Sequence, residues 1–279
     1  MFRHQALASF AALMLLAVAL RLVNITTEPI WYDEGYTVVL SNHSVGEILR
    51  QNAEDTHPPL YYLGVYAWHG VTGRTLFTLR VWSVFWSLLG LGGLYCLVRH
   101  LANRRWALVA LALGAINAQD IYYAQEARNY AQASALAVWC TYCLWRWIEL
   151  ARSSMPFRAW RKWALAYCAF AILLVYTHFL GAMILAAQGI FALLVFSQSR
   201  NWPAFGAYVA CACFVLCCDP LSGRYVVASG VLFGAVDAAR FGAFRRSVGA
   251  FGAGMIECPT HTPYADPTRF QIATSTLIR

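Results

Sequence analysis

Residues 80–98, RVWSVFWSLLGLGGLYCLV, form an apolar run that is followed at once by a basic cluster of Arg99, His100, Arg104 and Arg105. About 20 apolar residues in a helix cross the roughly 30 Å hydrocarbon core of a bilayer. Six further apolar runs lie on either side of this one, at 6–24, 106–123, 129–148, 163–177, 179–196 and 203–218. The sequence therefore predicts an all-α, polytopic integral membrane protein with about seven transmembrane helices.

The composition of the 279-residue chain supports this fold class. Hydrophobic residues make up 60% and charged residues 12%, whereas soluble domains carry about 25% charged residues. A surface this poor in charge cannot face water all round, so the lipid bilayer is the expected surrounding. The net charge of +8 sits in short clusters between apolar runs, which is typical of cytoplasmic loops and argues against nucleic acid as a partner.

The eight cysteines inside apolar segments are predicted to pack as small hydrophobic side chains. Cys140 and Cys143 have a CxxC spacing, which leaves a zinc or redox site as the alternative. Such sites need polar access and partner ligands, and the surrounding sequence is apolar.

Segment 58–72, PPLYYLGVYAWHGVT, decides the predicted topology. If it crossed the membrane, the arginine-rich loops 99–105 and 152–162 would lie outside, against the positive-inside rule. If it lies on the outer surface, both loops fall inside. The second arrangement gathers the polar residues of a long outer loop, 25–79, with those of two later turns. Outer juxtamembrane helices are expected in that loop, including a short amphipathic one suggested by the spacing of Val38, Val39, Val45, Ile48 and Leu49.

Asp33 and Glu34, shortly after the first span, are candidates for acid–base chemistry or metal binding. Carboxylates near a membrane surface are costly unless they are solvated or functional, and a carboxylate can take a proton from an attacking hydroxyl. The alternative is an ordinary solvated loop.

Three further features point to the same outer side. His57 is held before two prolines, which restrict its backbone. Arg128 offers the planar fork that binds phosphate, in the segment that also holds Gln125, Glu126 and Tyr130. The alternative for this segment is a turn with snorkelling ends. His178 lies in a later turn, and by itself it fits an interface residue equally well.

Five motifs in order resemble one family: WYDEGYT (31–37), DTHPPLYYL (55–63), LRVWS (79–83), YYAQEARNYA (122–131) and YTHF (176–179). The resemblance, over about residues 1–200, is to the bacterial polyprenyl-phosphate-sugar glycosyltransferases with the GT-C fold. Protein O-mannosyltransferases, aminoarabinose transferases and rhizobial lipopolysaccharide core transferases belong to this group. It implies a polyprenyl-phosphate-linked sugar donor, a glycan, lipid or protein acceptor, and an active site on the periplasmic face of the bacterial inner membrane.

The resemblance also implies roles for individual residues. Asp33 would be the catalytic base of an inverting transfer, assisted by Glu34. The donor's sugar and phosphate would be bound by Asp55, His57, Gln125, Glu126, Arg128, Tyr130 and His178. No cofactor is implied with certainty, although His178 matches a position that binds a divalent metal in some members.

Residues 1–218 are thus predicted to form a GT-C-like transmembrane catalytic module, and residues 219–279 an atypical tail, truncated or altered relative to the family. Two other function classes remain open. One is a non-catalytic relative that binds lipid phosphate or acts as a scaffold. The other is a transporter, which is disfavoured because the sequence shows neither paired repeats nor helices broken at mid-membrane.

Overall fold

The computed structural model describes residues 2–54, 57–153, 155–199 and 202–217. Within these ranges the chain is helical with short connecting turns and contains no strand, which confirms the predicted all-α class. The predicted tail 219–279 lies outside the described residues. The helices in order are α1 Phe2–Leu22, α2 Tyr32–Ser41, α3 Val45–Glu54, α4 Leu60–Thr72, α5 Leu76–Leu101, α6 Arg104–Ile116, α7 Ala118–Gln125, α8 Tyr130–Arg152, α9 Phe157–Thr177, α10 Gly181–Ser199 and α11 Trp202–Cys217.

Several helices are long and apolar enough to cross a bilayer, as expected for a membrane protein. Among the described residues there are four such segments: Gln5–Leu22, Leu76–Leu101, Phe157–Thr177 and Gly181–Gln198. The bent pair α6 and α7 makes a fifth if it is counted as one span. The two remaining predicted spans correspond to α8, which is less apolar, and to α11, which is shorter. For these two helices the count of seven stays a prediction.

Helix α8 lies between α5 and α9. Its approach to α5 is close at Gly90, where an added Cβ would lie 3.2 Å from the Cα of Ala135. On the other side, Trp147 of α8 is fully buried and stacks on Trp160 of α9, with ring centroids 5.8 Å apart. Because neighbouring helices cover these faces, α8 can carry polar residues without presenting them to lipid.

The run 106–123, predicted as one continuous helix, is broken at Asn117 into α6 and α7, which meet at 56°. A helix end leaves its last carbonyl groups without intrahelical partners. The guanidinium of Arg21 donates to two of these, the carbonyls of Gly114 and Ala115, both at 3.1 Å. The Asn117 side chain then accepts from the backbone N–H of Asp120 at 3.1 Å and caps α7. A buried arginine on α1 thus stabilises the break.

Helix α4 corresponds to the segment that the topology argument places on the outer surface. Its 13 residues span about 20 Å, less than the roughly 30 Å of a hydrocarbon core. The Trp68 indole donates to the carbonyl of Thr78 in the first turn of α5 at 2.9 Å. An added Cβ at Gly64 would lie 2.6 Å from the Trp82 ring. Helix α4 therefore packs along the beginning of α5, as a surface helix would.

The bundle has two chemically different ends. At one, here called the site end, Asp33 of α2 lies beside Arg128, and Asn129 donates to the carbonyl of Thr177 at the end of α9, at 2.9 Å. At the other, here called the basic end, Glu149 accepts from Arg146 at 2.9 Å and lies 2.6 Å from His100. The arginine-rich segment around His100 and the basic residues that follow Glu149 therefore lie at the end opposite Asp33.

One pair of cysteines departs from the packing prediction. Cys168 of α9 and Cys211 of α11 form a disulfide, with Cα atoms 5.8 Å apart, a separation that a disulfide can bridge. The packing prediction did not include this disulfide, whose two cysteines are 43 residues apart in sequence and are brought together by the packing of α9 and α11. Cys140 and Cys143 are free and buried, as predicted.

Candidate functional site

The site begins in the first turn of α2, where Asp33 and Glu34 lie near the positive end of the helix dipole. Consecutive residues on an α-helix point about 100° apart. The two carboxylates therefore face different surroundings. The Glu34 side chain is 0% exposed, whereas the Asp33 side chain is 34% exposed.

Glu34 is bound on both carboxylate oxygens. Arg80 of α5 donates from Nε to Oε1 at 2.9 Å and from Nη2 to Oε2 at 2.6 Å. The backbone N–H of Ala127 also donates to Oε1, at 2.8 Å. Arg80 is itself buried, and its Nη1 donates to the carbonyls of Ile25 and Glu28. Glu34 was predicted to assist the chemistry, but this geometry gives it a positioning role, joining α2 to α5 and to the α7–α8 junction.

Asp33 faces Arg128, which lies in the α7–α8 junction. Their closest atoms, Arg128 Nη2 and Asp33 Oδ2, are 3.6 Å apart, and Nη1 donates to the Asp33 carbonyl at 3.3 Å. Nη2 also lies 3.4 Å from Nε2 of His57. The structure thus brings together three of the predicted site residues, which come from separate segments of the chain.

Arg128 is a buried cation, and one of its hydrogen-bond donors is not used by the described residues. Its side chain is 7% exposed, and its Nε donates to none of the described residues. Burial lowers its pKa, but the neighbouring Tyr62 and Asp33 more than offset this, so that its pKa is raised overall. The guanidinium therefore stays charged, and a ligand anion is a suitable partner for its remaining donors.

An aromatic wall borders this cation. The Tyr130 ring lies 5.9 Å from Arg128 Cζ and 5.9 Å from the His178 ring, and the Tyr36 ring lies 6.3 Å from that of His57. The five predicted residues Asp33, His57, Arg128, Tyr130 and His178 are therefore neighbours.

His178 lies in the turn between α9 and α10. Its Nδ1 accepts from the backbone N–H of Leu180 at 3.1 Å. Burial lowers the pKa of His178, and the nearby His57 and Arg128 lower it further. A neutral ring that accepts at Nδ1 carries its proton on Nε2, so His178 can donate one hydrogen bond to a ligand.

Glu126 is 7% exposed and lies beside the same group. Burial raises its pKa, and the charges of Glu34 and Asp33 raise it further, whereas the Tyr122 hydroxyl and Arg128 lower it. Glu126 consequently holds a proton more readily than an exposed glutamate would.

Gln125 was predicted to bind substrate, but its side chain is used within the fold. Its Nε2 donates to the carbonyls of Val23 at 2.8 Å and Arg21 at 3.3 Å. These carbonyls belong to the end of α1 and the turn after it, where a helix leaves acceptors unpaired. Gln125 therefore ties α7 to α1.

The sequence arguments assigned no role to Arg21 or Arg80, which hold the site in place. Both are buried, and both lie at the edge of an apolar run, where an ionisable side chain is expensive without a partner. That signal was present in the sequence. The partners, however, are mostly backbone carbonyls, which no residue pattern reveals.

A cavity of about 320 Å³ lies between α5, α7 and α8. Polar groups line part of it, namely Ser87, Asp120, Tyr123, Tyr130 and Ser134, and Leu91 and Val138 line another part. Tyr130 lines this cavity and also lies 5.9 Å from Arg128 Cζ, so the cavity is separated from Arg128 by one aromatic ring.

Among the described residues, no group of three or more His, Cys, Asp and Glu side chains is placed to hold a metal ion. Asp55, the remaining predicted site residue, lies outside the residues that the structure describes. No protein-family model matches this chain, and no curated protein matches it in sequence.

Proposed function

We propose that this chain is a membrane glycosyltransferase that moves a sugar from a polyprenyl-phosphate donor to a hydroxyl of a glycan, lipid or protein acceptor. The supporting observation is the pairing of a partly exposed carboxylate, Asp33, with a buried guanidinium that has spare donors, Arg128, at one end of an apolar helical bundle. A transfer of this kind needs a base for the attacking hydroxyl and a cation for the departing phosphate.

In the proposed reaction, Asp33 takes the proton of the acceptor hydroxyl while its oxygen attacks the anomeric carbon. The bond from this carbon to the phosphate oxygen breaks, and its electron pair leaves with the polyprenyl phosphate. Attack from the face opposite the phosphate inverts the configuration at this carbon. The sugar–phosphate bond supplies the energy, so no nucleotide is consumed.

Arg128 and His178 would stabilise the negative charge that develops on the departing phosphate. Preorganised donors in a site that excludes water stabilise such a charge without needing to rearrange. Arg128 is held by Asp33 and lies near His57, and His178 offers its Nε2 proton. Tyr130 lies between the two and gives the sugar an aromatic face to pack against.

The finer predictions on fold and placement belong to this proposal. The site end would face the periplasm and the basic end the cytoplasm of a bacterial inner membrane, because loops rich in arginine stay inside. Helices α8 and α11 would complete seven spans of a GT-C-like module. The central position of α8 supports this, since a span surrounded by other helices need not be strongly apolar.

The second candidate function is binding of a lipid phosphate without catalysis. The spare donor of the buried Arg128 favours it, because anion binding alone would satisfy that donor. The two functions differ in the need for Asp33: binding without chemistry does not require a base.

The test is release of free polyprenyl phosphate by purified protein in lipid, with a panel of polyprenyl-phosphate sugars and mixed membrane-glycan acceptors. Asp33→Asn should lower release by about 10²- to 10⁴-fold, the usual contribution of a general base, and should leave donor binding intact. Glu28→Gln, which removes an exposed carboxylate nearby, is the matched control and should stay within twofold of wild type. Donor binding without release in wild type would support the second function. The absence of both would refute the site.

A further inference from the structure

A second cavity lies at the basic end, far from Asp33. It occupies about 500 Å³ between the last turns of α8 and the second half of α10. Its wall is apolar and is formed by Trp145, Ile148, Phe191 and Val195. The rings of Trp145 and Phe191 stack at 6.3 Å and hold α8 and α10 together at one edge of the cavity. Glu149 and Arg152 also line the cavity, and they lie near the end of α8.

The charge at this end is positive. Glu149 accepts a hydrogen bond from Arg146 at 2.9 Å and lies 2.6 Å from His100. Its carboxylate is therefore already paired with basic side chains. Arg152 is exposed and forms no ion pair with the residues that the structure describes. An anion entering the cavity would therefore meet a guanidinium that is available to bind it.

The neighbouring turn is suited to a membrane surface. The start of α9 is packed against α8 by the Trp147–Trp160 stack. It carries exposed Arg158, Arg161 and Lys162. Met155 and Phe157, beside these basic residues, are 47% and 55% exposed. Apolar side chains flanked by arginine and lysine are typical of a segment at the level of lipid headgroups.

We propose that this cavity binds one anionic phospholipid of the surrounding bilayer, with its phosphate on Arg152 and part of an acyl chain along Trp145, Ile148 and Phe191. Basic pockets between helices select anionic headgroups, and the cations of the α8–α9 region disfavour a headgroup that carries its own ammonium. The site is separate from the proposed catalytic centre and does not require that centre to be active.

Native mass spectrometry of the detergent-purified protein tests this, with phosphatidylglycerol and phosphatidylcholine of identical chains. Phosphatidylglycerol should bind more tightly. Arg152→Gln should weaken its binding about fivefold, as expected for one basic residue near a lipid surface. Arg105→Gln is the matched control, because Arg105 is an exposed arginine in the first turn of α6 that does not line the cavity. It should change the affinity less than twofold.

A second variant tests the contribution of the cavity to lipid binding separately from that of the charge. Val195→Trp fills the cavity and leaves every charge in place, so it should lower phosphatidylglycerol binding while the protein keeps its thermal unfolding midpoint. Inorganic phosphate in excess should not displace the lipid. The proposal fails if the two lipids bind equally, if Arg105→Gln acts like Arg152→Gln, if folded Val195→Trp binds as wild type does, or if phosphate competes.

Discussion

Two carboxylate–guanidinium pairs lie side by side at the site end, and they are built in opposite ways. Glu34 and Arg80 are in contact at 2.6 Å, with side chains that are 0% and 4% exposed. Asp33 and Arg128 are 3.6 Å apart, and the Asp33 side chain is 34% exposed. The first pair satisfies both oxygens of its carboxylate internally, whereas the second keeps hydrogen-bonding capacity for a ligand.

The difference gives one helical turn both a buried pair that joins helices and a partly exposed pair that suits the proposed chemistry. A buried ion pair is destabilising when it is broken, because the remaining charge has no water to solvate it. A partly exposed pair can exchange partners, since solvent compensates the change. We therefore expect changes at Glu34 and Arg80 to affect folding first, and changes at Asp33 and Arg128 to affect ligand binding and turnover first.

The largest expected effect on stability is at Arg80. Arg80→Met leaves Glu34 buried without its cation and should lower the free energy of unfolding by about 3–5 kcal/mol. Adding Glu34→Leu should recover a substantial part, because the orphaned charge is then gone. Equilibrium unfolding in mixed micelles measures both. Arg50→Ala removes an exposed ion pair with Glu47 and is the control. An equal loss of unfolding free energy in Arg50→Ala would contradict the special importance of the buried pair.

The next effect concerns donor binding at Arg128. Arg128→Ala should weaken binding of a polyprenyl-phosphate sugar about 10- to 150-fold, since hydrogen bonds to charged groups contribute about 1.5–3 kcal/mol. Arg128→Lys should fall between this variant and wild type, because it keeps the charge and loses the planar fork. Titration of donor into protein in nanodiscs gives the affinities. Arg74→Ala removes an exposed cation at the same end, and if it matched Arg128→Ala, non-specific attraction would explain the binding.

A smaller effect is expected where Arg21 stabilises the break between α6 and α7. Arg21→Met removes the donors to Gly114 and Ala115 and should cost about 1–3 kcal/mol of unfolding free energy. Ser87→Ala removes only the hydroxyl that accepts from Arg21 Nε at 2.8 Å, so it should cost less. Thermal unfolding of the two variants compares them. A Ser87→Ala loss as large as that of Arg21→Met would show that the carbonyl contacts contribute little.

The smallest effect is pH-dependent and involves Glu126. Its pKa in the folded protein is raised, first by burial, so the folded state favours the protonated form. That contribution to stability is present below the unfolded pKa near 4.3 and is lost as the pH rises through the folded pKa. Glu126→Gln should therefore be more stable than wild type at pH 7, and the difference should shrink towards pH 4.

Unfolding midpoints measured from pH 4 to pH 8 test the Glu126 prediction. Tyr122→Phe sharpens it, because the Tyr122 hydrogen bond lowers the pKa of Glu126. Without that hydrogen bond the pH dependence should increase. A difference between Glu126→Gln and wild type that does not vary with pH would contradict the expected ionisation.

Part of this site followed from the sequence. The apolar runs predict helices that alternate in direction. Residues that follow the first, third and fifth runs are therefore expected at the same end of the bundle. Asp33, Arg128 and His178 meet for that reason. Helix α4 is too short to cross, which agrees with the charge argument that places it on a surface.

The roles of individual residues within the site could not be predicted from the sequence. Asp33 and Glu34 are adjacent in sequence, and only the packing of α2 against α5 decides which of the two carboxylates is buried. Gln125 lies beside Glu126, and its Nε2 donates to backbone carbonyls at the end of α1 and in the turn after it, a contact that depends on the 56° break between α6 and α7. The disulfide between Cys168 and Cys211 likewise depends on how α9 and α11 pack. Such choices depend on tertiary geometry, and composition and spacing do not determine them.

The most direct test of the contrast between the two pairs is a single-turnover comparison of Asp33→Asn with Glu34→Gln, with donor affinity and unfolding midpoint measured on the same samples. Asp33→Asn should keep the wild-type midpoint and donor affinity while the rate constant of sugar transfer falls about 10²- to 10⁴-fold. Glu34→Gln should lower the midpoint, and the fraction that stays folded should transfer sugar at a rate close to that of wild type. An Asp33→Asn protein that transfers sugar as fast as wild type would contradict the proposed role of Asp33 as the base.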